Sequence, residues 1–482
     1  LSAVSGRISG AALALLWLVL GSAAPVRGDV LEVPDQFPTI QSAISAAQAG
    51  DEVVVAPGVY PERIHLLGKA ITVRSTDGPD LTIIDASGLN QDVITCTNDE
   101  GPDTVIRGFT VTGGVDGVLT RLSAPMLADC AFIANAGCGM SCDHGSPIAI
   151  GCGFDENEDC GVYNVGGALV LERCSIDGNA AGGLRNETGA SATLLTCSVA
   201  GNVGVFGAGL RNTDGCSVRL LNCAFIANHA FHLGGAMLND SDCDVRLVNG
   251  LFSGNTADVD GGAIYNLASD LLVTNATFTA NVAGRHGGAL LHAGGTATLD
   301  NAILWSNEGG EIHKLLGAAS VSFSDVLGGW DGPGEGNIDA DPMFVDPGAG
   351  DFRLASGSPC IDAADNAALP ADDFDLDGDG DTDELIPFDL DGHPRLVDDP
   401  ETQDTGHGEP PLVDMGAYEY QATEPPECPA DFDGDGDVDS ADLLFLLAAW
   451  GTPDGDVDGD GDTDATDLLA LLAAWGQCPD AL

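Results

Sequence analysis

The stretch "DFDGDGDVDSAD" (431–442) places six aspartates in twelve positions, with no lysine or arginine among them. Like charges this crowded repel, so a cation must sit among them if the segment is to fold. Asp431, Asp433 and Asp435 hold positions one, three and five. Gly436 is sixth, where the chain turns, and Asp437 is seventh, offering its backbone carbonyl. Asp439 is ninth and Asp442 closes the loop. This is the oxygen-donor order of a twelve-residue calcium loop with Asp as its last ligand. The order recurs twenty-five residues later at Asp456, Asp458, Asp460, Asp462 and Asp467. A third copy, "DFDLDGDGDTDE" (373–384), aligns Asp373, Asp375, Asp377, Asp379 and Glu384. Calcium is the expected ligand of all three, with a flexible acidic linker the alternative for the third.

A second set of residues has the types needed for acid–base chemistry. His232, Asp258, Asp260, Arg285 and His286 each fall just before a Gly-Gly pair, on successive copies of a repeat. Stacked repeats would put a base, carboxylates and a cation on one face. A solvated turn face is the plainer reading of the same residues. The acidic group Asp155, Glu156, Glu158 and Asp159 reads as an exposed turn. No paired aspartates followed by Gly-His-Gly occur, and the chain has only two lysines, Lys69 and Lys314.

The elements that must position these residues are periodic. "FIAN" (132–135), "FDEN" (154–157), "IDGN" (176–179), "VAGN" (199–202), "FIAN" (225–228), "FSGN" (252–255), "FTAN" (278–281) and "LWSN" (304–307) recur at steps of 22 to 27 residues. A second register runs beside it: "GVYN" (161–164), "GLRN" (183–186), "GLRN" (209–212), "AMLN" (236–239), "AIYN" (263–266), "ALLH" (289–292). Twenty-two residues make three short strands with tight turns, and such rungs bury an apolar face only by stacking. The expected fold is a mainly β, right-handed parallel β-helix of roughly ten to twelve rungs, each rising about 4.8 Å. Buried Asn columns read as framework amides that hydrogen-bond along the stack. Cys130, Cys152, Cys174, Cys197 and Cys223 share one repeat position and read as core thiols. Cys138 with Cys160, and Cys216 with Cys243, lie one rung apart and could pair as disulfides or stay as stacked thiols.

At the C-terminus, each of the two loops runs into nearly the same helix, "LLFLLAAWG" (443–451) and "LLALLAAWG" (468–476). Helices so apolar are expected to pack on each other. The pair resembles a dockerin, a tandem of EF-hand-like calcium loop–helix units, and its Cys-bounded form (Cys428, Cys478) resembles anchoring modules of planctomycete-type secreted proteins. That resemblance implies a cohesin-like or other surface anchoring protein as partner. The FxxN and GGA[ILM] repeats resemble those of polymorphic outer-membrane proteins, which implies a surface or adhesive role. The opening segment "VPDQFPTIQSAISAAQAGDEVVVAPGVYPERI" (33–64) resembles the start of pectin-lyase-like β-helices, with a capping helix at 39–48 and "EVVVA" as first strand. The segments 339–365 and 413–420 resemble the terminal cap of secreted bacterial β-helices.

Composition sets the limits. The formal net charge is −59, and residues 371–482 hold 33 Asp plus Glu against Arg395 alone. That balance argues against nucleic acid and anionic polymers as direct partners. The 14 cysteines suit an exported protein. Arg7, the apolar run Ala11–Leu20 and the small residues after it read as a secretory signal, too short to span a membrane comfortably. The expected organisation is a signal peptide (1–28), the β-helix (29–340), its cap with the acidic loop (341–420), a linker (421–427) and the tandem calcium-binding domain (428–482). Two functions compete. One is a secreted surface or matrix protein, adhesive or glycan-binding, tethered through the calcium-dependent module. The other is a secreted polysaccharide lyase or glycoside hydrolase of the pectin-lyase-like superfamily.

Overall fold

The computed structural model describes residues 28–421, together with 430, 432, 437–438, 440–450, 452, 457, 463 and 465–477. The expected signal peptide and both bracketing cysteines of the tandem domain lie outside the described residues. The chain divides into two compact units, 1–420 and 421–482.

The first unit is a right-handed parallel solenoid whose coil joins 31 strands. Alternation along each short strand sends one side chain inward and the next outward. Inward columns therefore stack like on like. One runs from Leu31 and Val53 through Ile106, Leu171, Leu220 and Leu299 to Val321, all buried. The Phe of the FxxN repeat forms another, with ring centroids 5.1 Å apart for Phe132 and Phe154, and 4.9 and 4.6 Å along Phe225, Phe252 and Phe278.

The repeat asparagines form two buried ladders. In one, Asn135 Nδ2 donates to Asn157 Oδ1 at 3.1 Å, and the pattern runs rung by rung to Asn281 and Asn307. The second links Asn164, Asn186, Asn212, Asn239 and Asn266 and ends on His292. The left-handed residue at each turn of the first ladder is the one before the Asn, such as Ala134 (φ 52°) or Ala227 (φ 53°). The cysteine column is buried and unpaired, Cys138 and Cys160 form a disulfide, and Cys216 and Cys243 remain free thiols.

The helix expected at 39–48 spans Ile40–Ala46 and covers the first rung with fully buried Ile40, Ala43 and Ile44. Thr39 caps its start, and Lys69 Nζ donates to the carbonyls of Ile44, Ser45 and Ala47 at its end. One strand, Val30–Val33, precedes the expected first strand, found as Glu52–Val55. It pairs beneath it through Leu31 and Val33.

The longer repeats after Asn202 build an extra feature. Val203–Phe206, His229–Leu233, Thr256–Ala257 and Val282–Ala283 form a four-stranded sheet of their own beside the main coil. The segment 341–420 lies along the flank of the solenoid. Three stacked turn asparagines receive it: Asn249, Asn275 and Asn301 donate to the carbonyls of Phe388, Asp414 and Asp365. Arg395, wholly buried, donates to Asn249 Oδ1 and the Gly416 carbonyl and lies 3.5 Å from Glu419 Oε2.

In the second unit, helices Ser440–Ala448 and Ala465–Ala473 bury Leu446 and Leu471 in a small core with Ala430 and Val438. The expectation that these helices hide their apolar residues against each other holds for that seam alone. Leu444, Leu447 and Trp450, and their equivalents Leu469, Leu472 and Trp475, are exposed. Among the described residues, two short helices cover one seam and leave these side chains exposed.

Candidate functional site

The acid–base set lies on and just beyond the four-stranded flanking sheet: His232 is in a strand, and Asp258, Asp260, Arg285 and His286 follow the strands Thr256–Ala257 and Val282–Ala283. Backbone bridges put Leu233, Asp260 and His286 side by side on three rungs. The turn after Asp260 closes through Gly261 (φ +69°), where a Cβ would meet the Ile264 carbonyl at 2.7 Å. Asp260, just before this turn, is 7 % exposed. Its Oδ2 pairs with Arg285 Nη2, while its Oδ1 is buried and has no hydrogen-bond partner. His286 stacks on His313, with centroids 4.4 Å apart and planes within 15°. On the next strand, burial and then the Asp260 charge raise the Tyr265 phenol above its ordinary value, and Arg285 opposes this.

The structure thus brings together Asp260, Arg285 and His286 and adds Tyr265 and His313. His232 packs against Phe206 at 5.3 Å, and Asp258 is engaged by His229 Nε2 at 2.9 Å. Both lie on or just beyond the same small sheet but serve its own cohesion.

This corner continues a row on the outer face of the main sheet. Ser141, Tyr163, Arg185, Arg211, Leu238, Tyr265, Leu291 and His313 follow one another in register. Tyr163, Arg185, Arg211, Leu238 and Tyr265 each precede a ladder asparagine, so alternation turns them away from the coil interior; Leu238 and Leu291 are nonetheless buried. Sequence reasoning passed over them because the repeats were read for what they bury. A groove of about 480 Å³ opens at one end of the row, lined by Asp116, Arg121, Ser141, Asp143, Asp159 and Tyr163 among others. Asp159, expected in a plain exposed turn, pairs with Arg185 at 2.7 Å, and Tyr163 donates to Glu187 at 2.9 Å.

The acidic loop of 372–384 is a separate constellation. Oxygens of Asp375, Asp377 and Asp379 lie within 4.8 Å of one another, as do those of Asp372, Asp377 and Glu384. Asp373 faces Arg219 at 3.3 Å, and fully buried Asp372 takes the inner place. Spacing could not separate the two neighbours, since only the flank contact decides which one turns inward. Asp372 Oδ1 and Glu384 Oε1 are buried without hydrogen-bond partners. Burial first, and then neighbouring carboxylates, hold both acids above their ordinary range. An all-oxygen set with orphaned inner atoms fits a hard divalent cation.

Of the tandem-loop ligands, Asp431, Asp433, Asp435, Asp456, Asp458, Asp460 and Asp462 lie outside the described residues, as does the side chain of Asp437. The two closing residues are described and equivalent. Buried Asp442 Oδ1 accepts from Phe432 N, and buried Asp467 Oδ1 from Val457 N, both at 2.7 Å. Each carboxylate thus reaches back across its loop from the first turn of its helix.

No family model and no curated protein matches the chain. Solved structures similar to it include a pectate lyase, Pel9A, at 15 % identity and TM-score 0.42, covering 79 % of this chain and 91 % of that one. A GH87 alpha-1,3-glucanase from Streptomyces thermodiastaticus strain HF3-3 aligns at 14 % identity and TM-score 0.43, over 67 % and 70 % of the two chains. A PL6 alginate lyase, AlyGC, aligns at 11 % identity and TM-score 0.31, over 65 % and 53 %. No described helix is long and apolar enough to cross a membrane.

Proposed function

We propose that this is a secreted protein that cleaves a polysaccharide, with Asp260 at the reactive centre. The observation that carries the reading is the buried, unpartnered Oδ1 of Asp260 beside Arg285 and His286. A buried carboxylate oxygen left without a partner is costly, and such atoms are kept where chemistry uses them. Hydrolysis of a neutral glycan fits better than elimination on a polyuronate, because the net charge of −59 repels anionic chains. Asp260 would act either as the acid that protonates the glycosidic oxygen as the bond to it breaks, or as the base that takes a proton from the water attacking the anomeric carbon. Arg285 orients its carboxylate, and the stacked His286 and His313 form one wall. Tyr163, Arg185 and Arg211 on successive rungs, and Tyr265 two rungs beyond, would give a sugar chain flat and hydrogen-bonding groups.

A second reading, glycan adhesion without cleavage, is favoured by the ion pairs that tie up much of this face. Calcium at the acidic loop and the tandem loops belongs to both readings. So does attachment of the C-terminal unit to an anchoring protein through its exposed Leu and Trp side chains. Incubation with a panel of neutral and uronate polysaccharides separates the readings. New reducing ends without unsaturated uronates support hydrolysis. Retention on a glycan without cleavage supports adhesion, and neither result on any glycan overturns both.

A further inference from the structure

The flank segment brings three carboxylates together from stretches that share no motif. Asp362 follows Cys360 and Ile361, and Asp398 and Asp404 belong to "VDDPETQDTGHGE" (397–409). One oxygen of each lies within 4.8 Å of the others. Asp362 is completely buried, whereas Asp398 and Asp404 are exposed. Asp362 Oδ2 accepts from Asp399 N at 3.2 Å, but its Oδ1 has no hydrogen-bond partner.

The backbone around this atom is held firmly. Thr405 N and Gly406 N both donate to the Asp362 carbonyl at 3.0 Å, and Asp362 N donates to Asp414 Oδ1 at 2.7 Å. Asp398, Asp404, Asp399 and Asp414 all act on Asp362, and all are acidic. A buried carboxylate facing two more is costly to ionise unless a cation from outside the chain neutralises it. The donors are all oxygen, with neither His nor Cys, which selects a hard cation.

We propose that Asp362, Asp398 and Asp404 form a calcium site that pins the 397–409 loop onto the 360–364 stretch of the flank. Three carboxylates supply three to six of the oxygens that calcium takes, and water completes the shell at the open side. Magnesium, which demands near-ideal octahedral geometry, suits a site of one fixed and two surface ligands less well. The site shares no residue with the acidic loop of 372–384. Its occupancy would set how firmly the loop amides are held, including His407 N on the Ala364 carbonyl and Asn366 N on the His407 carbonyl.

The test uses the full chain, freed of metal and titrated with calcium chloride. Calcium stoichiometry and amide hydrogen exchange are compared for the wild type, for Asp398→Asn with Asp404→Asn, and for Asp379→Asn with Asp381→Asn as a control in the acidic loop. Both substituted pairs are solvent-exposed. Calcium is expected to slow exchange at Thr405 and Gly406 by roughly tenfold or more in the wild type and the control. The Asp398/Asp404 variant is expected to lose that slowing and one bound calcium. Asp404→Asn alone gives the same reading if the double variant folds poorly. Slowing and stoichiometry in the Asp398/Asp404 variant equal to those of the wild type would overturn the site, whatever calcium the control loses from the acidic loop. Equal slowing by magnesium at the same concentration would overturn its assignment to calcium.

Discussion

Asp260, Asn255 and Asp325 are all buried, and each is held in a different way. Asn255 donates to the Phe225 carbonyl and Asn281 Oδ1 and accepts from the backbone and side chain of Asn228. Asn255→Ala strips four buried hydrogen bonds and should cost about 2–4 kcal/mol, read as a lower urea midpoint. Burial pushes Asp325 up to about 7, against the Ala340 amide and the Cys360 thiol. Its folded value is raised, so the stability it contributes is complete below about pH 4 and is lost as pH rises towards 7. Asp325→Asn should remove on the order of 2–4 kcal/mol of that pH dependence, checked by denaturation at pH 4.5 and 7.5. The pairing of Asp260 with Arg285 was legible because the repeat register aligned them. The outward row of Tyr163, Arg185 and Arg211 was equally available, one position before each ladder Asn. The Asp362 cluster was not, since its members join only through an irregular fold-back.

Among the elements, the regular ones could be read and the irregular ones could not. A period of 22 residues leaves room for three strands and their turns and little else, so the coil followed from arithmetic. The growth to 26 residues builds four stacked strands, because insertions at the same place on adjacent rungs must stack as the rungs do. The flank segment has no period, and its position depends on contacts such as Arg395 on Asn249. Arg395→Met removes a buried cation from beside Glu419 and Asp414. The loss should be about 3–5 kcal/mol, with segment 341–420 becoming the first site of limited proteolysis. In the C-terminal unit, Asp442 and Asp467 each tie a loop to a helix start. Asp442→Ala should weaken calcium binding and lower the calcium-induced helical signal of residues 421–482, followed by circular dichroism. Full helicity in excess chelator would contradict the calcium reading of that unit.

Taken as a whole, the molecule combines a rigid solenoid with an excess of negative charge. The solenoid is held by its asparagine ladders and apolar columns. The acids concentrate instead in the flank and the C-terminal unit, where calcium would neutralise them. That division places the proposed chemistry on the solenoid and the proposed cation dependence on what is attached to it. Chelation should therefore loosen residues 362–409 and 421–482 while leaving the Asp260 corner intact. The central claim, that Asp260 is a reactive carboxylate, is tested most directly by the release of reducing ends by wild type and Asp260→Asn. Both proteins would be matched for β-sheet signal and melting temperature and assayed on the polysaccharide that the panel selects. The account predicts a loss of at least about a thousandfold for Asp260→Asn. A rate within roughly threefold of wild type would contradict it.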